Sequence, residues 1–309
     1  METQVSQPDV GRNKTGNQKK ILILGATGML GHMLVRVLSR THSVVGTIAT
    51  SYQQVKNIDR LLPKSQFLDH FDVTDFSRVD FVIRQLQPDV VLNCVGLIKH
   101  KMDKRRILDA IVINSVFPHQ LAEICTRLGV RMIHFSTDCV FAGTPGVKRL
   151  TDMPDAVDVY GSTKRLGEVN YGTSLTIRTS FVGRQIAGNE ELIEWALSQR
   201  GQMISGYQNA IYSGLTTRAL SDVVAQVIDQ CPDLVGLYQV ASSPISKFDL
   251  LSELNVRLRL GMTINRNTTF ECDRTLDGSD FSKVTGIQVP SWESMLNELC
   301  EDQAFYVQS

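Results

Sequence analysis

The chain opens with about 18 polar residues rich in Gln, Asn, Ser, Thr and Gly, which read as a flexible tail. At Lys20 the pattern changes. Ile21-Leu22-Ile23-Leu24 is a continuous apolar run that ends in glycine, the mark of a strand buried on both faces of a parallel sheet. His42–Thr47, Asp89–Asn93, Val130–Phe135 and Leu175–Arg178 repeat that mark, and amphipathic stretches of helical length lie between them: Met29–Ser39, Asp75–Leu86 and a long Asp103–Leu128. This alternation predicts an α/β fold with a Rossmann-type doubly wound parallel sheet. After about residue 180 the regularity weakens. Helices are expected over Glu190–Gln199, Arg218–Gln230, Lys247–Leu260 and Trp292–Glu301, and a strand at Leu237–Val240, with proline and glycine clustered between them. The division that follows is a tail over 1–18, a sheet domain over 19–180, and a smaller mixed α/β lobe over 181–309, with 210–240 partly returning to the sheet.

Composition narrows the function classes. Hydrophobic residues make up 42% and charged residues 21% of the 309, enough for a packed core. The 32 basic and 32 acidic residues cancel, so no global basic excess points to nucleic acid or an anionic membrane. The basic residues before Ile21 superficially resemble the start of a signal peptide, but glycines at 25, 28 and 31 interrupt the apolar stretch and no cleavage site follows clearly. No run has the length of a membrane helix. The six cysteines never pair at zinc-site spacing, so no metal is expected; they read as free thiols in a reducing cytoplasm.

The first strand runs into Gly25-Ala26-Thr27-Gly28-Met29-Leu30-Gly31, between strand and helix. Glycines there give the turn its backbone angles, let a pyrophosphate approach and let helix pack on strand, while the helix start offers free N–H groups. The other reading is a tight turn without ligand. The second strand ends Val45-Gly46-Thr47-Ile48-Ala49-Thr50-Ser51 with no carboxylate to hold a ribose 2′-hydroxyl; small hydroxyl residues such as Thr47 leave room for a 2′-phosphate. That leans to NADPH, with NADH as the alternative. Asp72-Val73, after the expected third strand, stands where a carboxylate meets an adenine amino group.

Tyr160-Gly161-Ser162-Thr163-Lys164 begins a helix, and the i, i+4 spacing puts the phenol and the ammonium on one face. A phenol titrates near pH 10; a neighbouring ammonium is expected to lower that value, and the lysine can also hold a nicotinamide ribose. Upstream, Arg131–Phe135 ends in Ser136-Thr137-Asp138. A hydroxyl at a strand's carboxyl end faces the ligand crevice, so Thr137, or Ser136, can bind a reacting carbonyl oxygen while Tyr160 supplies its proton. A simple cap or turn is the other reading of that triplet.

With Gly25–Gly31, Asp72-Val73-Thr74-Asp75, Asn93-Cys94-Val95-Gly96, Asn114, Ser136–Gly143, Tyr160–Glu168, Ile177–Gly183 and Asp273–Asp277 in this order, the sequence resembles the extended short-chain dehydrogenase/reductase family, nearest its dTDP-4-dehydrorhamnose reductase branch, from about residue 20 to 300. The resemblance implies catalytic Thr137, Tyr160 and Lys164, and hydride delivery to a keto-sugar carbon. It implies a cofactor held by Gly25, Thr27, Gly28, Met29, Leu30, Gly31, Thr47, Asp72, Val73, Cys94, Val95, Gly96 and Lys164. It implies a nucleotide sugar between the sheet domain and the C-terminal lobe, with Asn114, Asp138, Cys139, Phe181 and Arg274 on the substrate side; Asn114 would organise the active-site helix or its water. It leaves room for a homodimer.

Two departures bear on the substrate. Cys139 stands where that branch commonly has tyrosine, and Phe181 where it has tryptophan. The dehydratases of the family carry Thr-Asp-Glu; the missing glutamate favours reduction, with an epimerase or a non-catalytic nicotinamide-nucleotide-binding regulatory subunit as alternatives. The run Lys99–Arg106 reads as a solvated loop and helix start, or as an attractor for a substrate pyrophosphate. Tyr207, Tyr212, Thr216, Thr217 and Arg218 read as substrate-nucleotide contacts or as core, and Arg274 as a phosphate ligand or a surface partner of Asp273 or Asp277.

Overall fold

The structure is a computed structural model that describes residues 18–55, 57–61, 64–98, 104–186 and 191–307. The polar tail up to residue 17, residues 99–103 of the basic run and the expected helix start at Glu190 lie outside the described residues.

The chain alternates β1 Lys20–Leu24, α1 Gly31–Leu38, β2 Ser43–Thr47, β3 Phe67–Leu68, α2 Phe76–Leu86, β4 Val90–Asn93, α3 Ile107–Ala110, α4 Phe117–Leu128, β5 Arg131–Thr137, α5 Val159–Leu166 and β6 Ser174–Thr179. The first six strands and a later one, β10 Gly236–Gln239, form a seven-stranded sheet in the order β10-β6-β5-β4-β1-β2-β3, every pair parallel. β1 shows why its run is apolar throughout. Ile21 and Ile23 enter a core with Leu34, Leu38 and Val223, whereas Leu22 and Leu24 face the opposite layer with Val79, Ile83 and Leu121. The strand order reverses between β1 and β4, which opens a crevice outside their carboxyl ends.

Beyond β6 come β7 Phe181–Val182, α6 Leu192–Ser198, β8 Met203–Tyr212, β9 Leu215–Thr216, α7 Thr217–Gln230, β10, β11 Ile245–Ser246, α8 Lys247–Arg257, β12 Thr263–Arg274, α9 Ser279–Thr285, α10 Trp292–Glu301 and α11 Gln303–Val307. Here β11, β8 and β12 make a smaller mixed sheet: β12 runs parallel to β8 with Arg274 beside Tyr212, and β11 is antiparallel to it. The sequence pattern foresaw neither β8 nor β12. β12 (TINRNTTFECDR) is exposed along most of its length, so it carries no alternating apolar face to read.

Two further differences matter for the site. The third strand is only Phe67–Leu68, so Asp72 stands four residues beyond it. The long expected third helix contains a π-helical segment, Ile111–Val116, which displaces Asn114 inward until it is fully buried. Among the described residues no helix is long and apolar enough to cross a membrane, and no group of three or more His, Cys, Asp or Glu is placed to hold a metal.

Candidate functional site

The glycine loop lies at the crevice between β1 and β4. Ala26 N–H donates to the Thr47 carbonyl (2.9 Å), Gly28 N–H to the Gly25 carbonyl (3.1 Å) and His32 N–H to the Gly28 carbonyl (3.0 Å). The N–H groups of Met29, Leu30 and Gly31 find no backbone acceptor among the described residues, as expected at a helix start. A side chain at Gly31 would overlap the Gly25 carbonyl oxygen, so the loop folds only with glycine there. On the other wall, the Val95 N–H donates to Asn93 Oδ1 (3.1 Å), and Gly96 stands exposed beside Lys164.

Several expected cofactor residues reach this crevice with backbone only. Leu30 and Val73 are buried in the two apolar layers, so their side chains are core. Thr47 is corrected as well: its hydroxyl is buried and accepts from the Gly25 N–H at 3.2 Å, bracing the loop from behind rather than facing a 2′-phosphate. Asp72 is exposed, and one carboxylate oxygen caps the turn through the Thr74 N–H (2.9 Å) and hydroxyl (2.8 Å), leaving the other outward.

Helix α5 starts at an Asp158 cap, whose carboxylate accepts from the Gly161 N–H at 3.0 Å. It presents Tyr160 to the end of β5, where the phenol lies against the Thr137 hydroxyl. Thr137 accepts from the Cys139 N–H (3.1 Å) and donates to Asp138 (3.2 Å). Ser136, the other candidate, is turned away and donates to Glu168 at 2.7 Å. Lys164 is buried, and its ammonium donates to the Phe135 carbonyl at 2.7 Å.

The electrostatics correct one expectation. Burial pushes the Tyr160 phenol up rather than down, with Cys139 and Asp138 adding to the rise and the Thr137 hydrogen bond opposing it. The ammonium is aimed at Phe135 and the Cys94 side of the crevice instead, and burial lowers its own value to about 8, opposed by Glu168 and Cys94. Burial also raises the Asp138 carboxyl, against the pull of Arg274 and of hydrogen bonds from Cys139, Thr137 and Ser180. The Cys139 thiol is pushed up to about 12 by burial and by Asp138.

Asn114, expected to organise the active-site helix or its water, is placed as a latch. Its Oδ1 accepts from the Leu97 N–H (2.8 Å), and its Nδ2 donates to the Leu97 carbonyl (3.1 Å) and to Thr163 Oγ1 (3.3 Å), which ties the β4 loop to α5. Gly167 lets α5 end directly against the Asn114 carbonyl, where any side chain would collide. Arg274 forms no pair with Asp273 or Asp277, whose carboxylates accept backbone N–H groups; its Nε donates to the Phe141 carbonyl (3.0 Å), beside Asp138 and Cys139. Phe181 is half-buried in β7, against the main core. Tyr207 lies tilted against Phe270, Thr216 caps α7, Thr217 packs against Gly183, and Arg218 pairs with Asp222 at 2.9 Å.

Sequence reasoning missed the groups that brace this site. Glu168 and Arg178 form a buried bidentate pair (2.8 and 2.7 Å), and Arg178 Nη1 reaches Gln239 Oε1 at 3.1 Å. Both charged residues fall inside the quoted Tyr160–Glu168 and Ile177–Gly183 segments, but nothing in their spacing says that they meet. The Tyr212 hydroxyl is buried near Asp138 with no partner among the described residues.

The family described as RmlD substrate binding domain matches residues 19–305. The chain belongs to the RmlD-like branch of the extended short-chain dehydrogenase/reductases. That family is one of NAD(P)-dependent oxidoreductases acting on nucleotide sugars. The chain is 25% identical over 298 residues to the spore coat polysaccharide biosynthesis protein SpsK of Bacillus subtilis, spanning 92% of this chain and 98% of that one. It is 30% identical over 148 residues to a dTDP-4-dehydrorhamnose reductase of Streptomyces griseus, spanning 48% of this chain and 43% of the relative. Among solved structures, the dTDP-4-dehydrorhamnose reductase of Bacillus anthracis in complex with NADP superposes with a TM-score of 0.76 at 19% identity, over 93% of this chain and all of that one, a likeness of fold.

Proposed function

We propose that this chain is an NADPH-dependent reductase of a nucleotide-linked 4-keto-6-deoxy sugar, with Tyr160 as proton donor. The observation that carries the reading is the meeting of Tyr160 and Thr137 at the carboxyl end of β5, beside a buried Lys164 and one strand from the glycine loop.

The crevice suits a dinucleotide. The free N–H groups of Met29, Leu30 and Gly31 suit a pyrophosphate, and the exposed Gly28 and Gly96 leave room for close approach. Lys164 stands within reach of a ribose over Gly96. A bound nicotinamide supplies the hydride. The protein's own part is the proton. A phenol held above its usual range stays protonated at neutral pH, which suits an acid in the reducing direction. At rest Thr137 Oγ1 accepts from the Cys139 N–H and donates to Asp138, with the Tyr160 phenol beside it; turning that proton from Asp138 to a keto oxygen makes Thr137 a donor. A keto oxygen seated between the two hydroxyls takes the Tyr160 proton as the carbonyl carbon is reduced. Arg274, near Asp138, offers a charge for the sugar or its phosphate. The names of the relatives support the 4-keto sugar as substrate and polysaccharide assembly as its use. A homodimer is the assembly we propose.

The test is cofactor oxidation against a panel of nucleotide-linked 4-keto sugars, with NADH and NADPH in parallel. Turnover lost in Tyr160→Phe, with cofactor affinity retained, supports the reading. Unimpaired turnover in that variant rules out the mechanism, and solvent-deuterium exchange without net oxidation would make the chain an epimerase.

A further inference from the structure

A continuous hydrogen-bonded chain runs from the catalytic helix to the small sheet. Glu168, just past α5, accepts from Ser136 at the end of β5 and from both arms of Arg178 on β6. Arg178 passes the contact to Gln239, the last residue of β10. Gln239 is buried, and its Nε2 donates to two carbonyls at once, Lys148 (2.9 Å) and Asp277 (3.1 Å). Those carbonyls belong to the two strands of a small bridge. Lys148 N–H donates to Thr275 (2.7 Å), Asp277 N–H returns to Lys148 (2.8 Å), and Asp273 N–H reaches Gly143 (2.8 Å). Arg274 ends β12 two residues before that bridge and fastens to the Phe141 carbonyl.

The chemistry of Gln239 is specific. It needs an acceptor toward Arg178 and two donors toward the carbonyls, and a primary amide has both ends. A carboxylate keeps the first bond and loses the other two. The ion pair whose Glu168 acts electrostatically on Lys164 is thereby joined to the segment that carries Arg274 through one side chain. The Arg178–Gln239 bond is buried, and the two bonds to the carbonyls are part-buried, so water competes with them only weakly.

We propose that Gln239 is a positioning residue: it fixes Arg274 and the 273–277 segment relative to Thr137–Cys139, and so sets the affinity of the substrate half of the site without touching the substrate. The inference about affinity rests on the nucleotide-sugar reading above, whereas the mechanical tie does not.

The experiment uses the full chain carrying Gln239→Glu, with Gln239→Met as the second variant. Glu keeps the Arg178 bond and sets a carboxylate against two carbonyl oxygens. Met removes the polar contacts but leaves Arg178 paired with Glu168, so at least one variant retains a fold. Three measurements are made: backbone hydrogen exchange, NADPH affinity, and KM and kcat for the keto sugar. The expected result is faster exchange at Lys148, Asp273 and Asp277, with exchange in α5 and NADPH affinity at the wild-type level. KM should rise by about tenfold or more, with kcat changed far less. Rescue is not expected from Glu, because the missing parts are the donors. Unchanged exchange at the bridge overturns the tie. Faster exchange with unchanged KM overturns the positioning role. A parallel fall in NADPH affinity, kcat and melting temperature also overturns it, since that is general loosening. If the wild-type chain turns over no keto sugar, the functional reading fails, and the exchange data still decide whether Gln239 holds the bridge.

Discussion

The Lys164 ammonium donates to the Phe135 carbonyl oxygen across 2.7 Å, in a pocket that excludes almost all solvent. Desolvation is the largest influence on this lysine and brings it to about 8 from 10.5. The ammonium is therefore held in a state that the fold disfavours. The sign follows from linkage: the unfolded chain binds this proton more tightly, so the penalty is full below about pH 8 and fades as pH rises toward 10.5. Lys164→Met should abolish turnover, yet melt higher than the wild type at pH 7. The gain is up to about 3 kcal/mol at about 1.4 kcal/mol per pH unit, reduced by the lost hydrogen bond. It should also lose the rise in stability between pH 8 and 10.5. Melting curves at pH 7 and 9.5 check this; a variant that melts lower at pH 7 with the wild-type pH slope contradicts it.

The Glu168–Arg178 pair makes the opposite prediction. Both side chains are buried, at 9% and 2% exposure, and the geometry is bidentate. Removing one partner strands the other charge. Arg178→Met should cost about 3–5 kcal/mol in urea unfolding. The double variant Glu168→Gln/Arg178→Met should recover most of that loss, because no charge stays buried. If the double variant is as unstable as the sum of the singles, the pair does not act as a unit.

Thr47 offers a test of its corrected role. If its hydroxyl only braces Gly25, Thr47→Val removes one acceptor and leaves the shape. Stability should fall by about 1 kcal/mol, and affinity for NADH and NADPH should weaken in equal proportion. Titration by cofactor fluorescence decides: a loss confined to NADPH would return Thr47 to the 2′-phosphate.

Much of this architecture was legible because it is local. The apolar run of β1 and the glycines after it fix a strand, a turn and a helix within a dozen residues, and the Tyr160–Lys164 spacing needs only one helical turn. The parts that escaped depend on contacts distant in sequence or on exposure. Glu168, Arg178 and Gln239 meet from three separate elements, and no periodicity announces a buried charge. β12 is mostly exposed, so its sheet partner β8 gives it order that its own pattern does not. The expected effect of Lys164 on Tyr160 failed for a different reason. The i, i+4 rule brings side chains to one face but does not say where their ends point, and Phe135 captured the ammonium. Thr47 was misread in the same way: the strand position was right, and the hydroxyl faced inward.

The C-terminal helix reports on the glycine loop through His32. The ring Nδ1–H donates to the Gly28 carbonyl at 2.9 Å, so in the neutral ring Nε2 accepts from the Tyr306 hydroxyl at 2.7 Å. Arg36, one turn along α1, lies 4.0 Å from the Phe305 ring centroid and bonds Asp302 at 2.9 Å. Burial lowers His32 to about 4 from 6.5. The sign is that of a base kept neutral by the fold: the unfolded chain takes up the proton first, so stability is lost as pH falls from about 6.5 toward 4. The loss amounts to about 3 kcal/mol at 1.4 kcal/mol per unit. His32→Gln cannot titrate and can still donate to Gly28, so its stability should be nearly flat across that window from this source. Urea unfolding of both proteins at pH 7 and pH 4.5 gives the comparison. Equal losses in the two would show that other groups, not His32, carry the acid sensitivity of the loop.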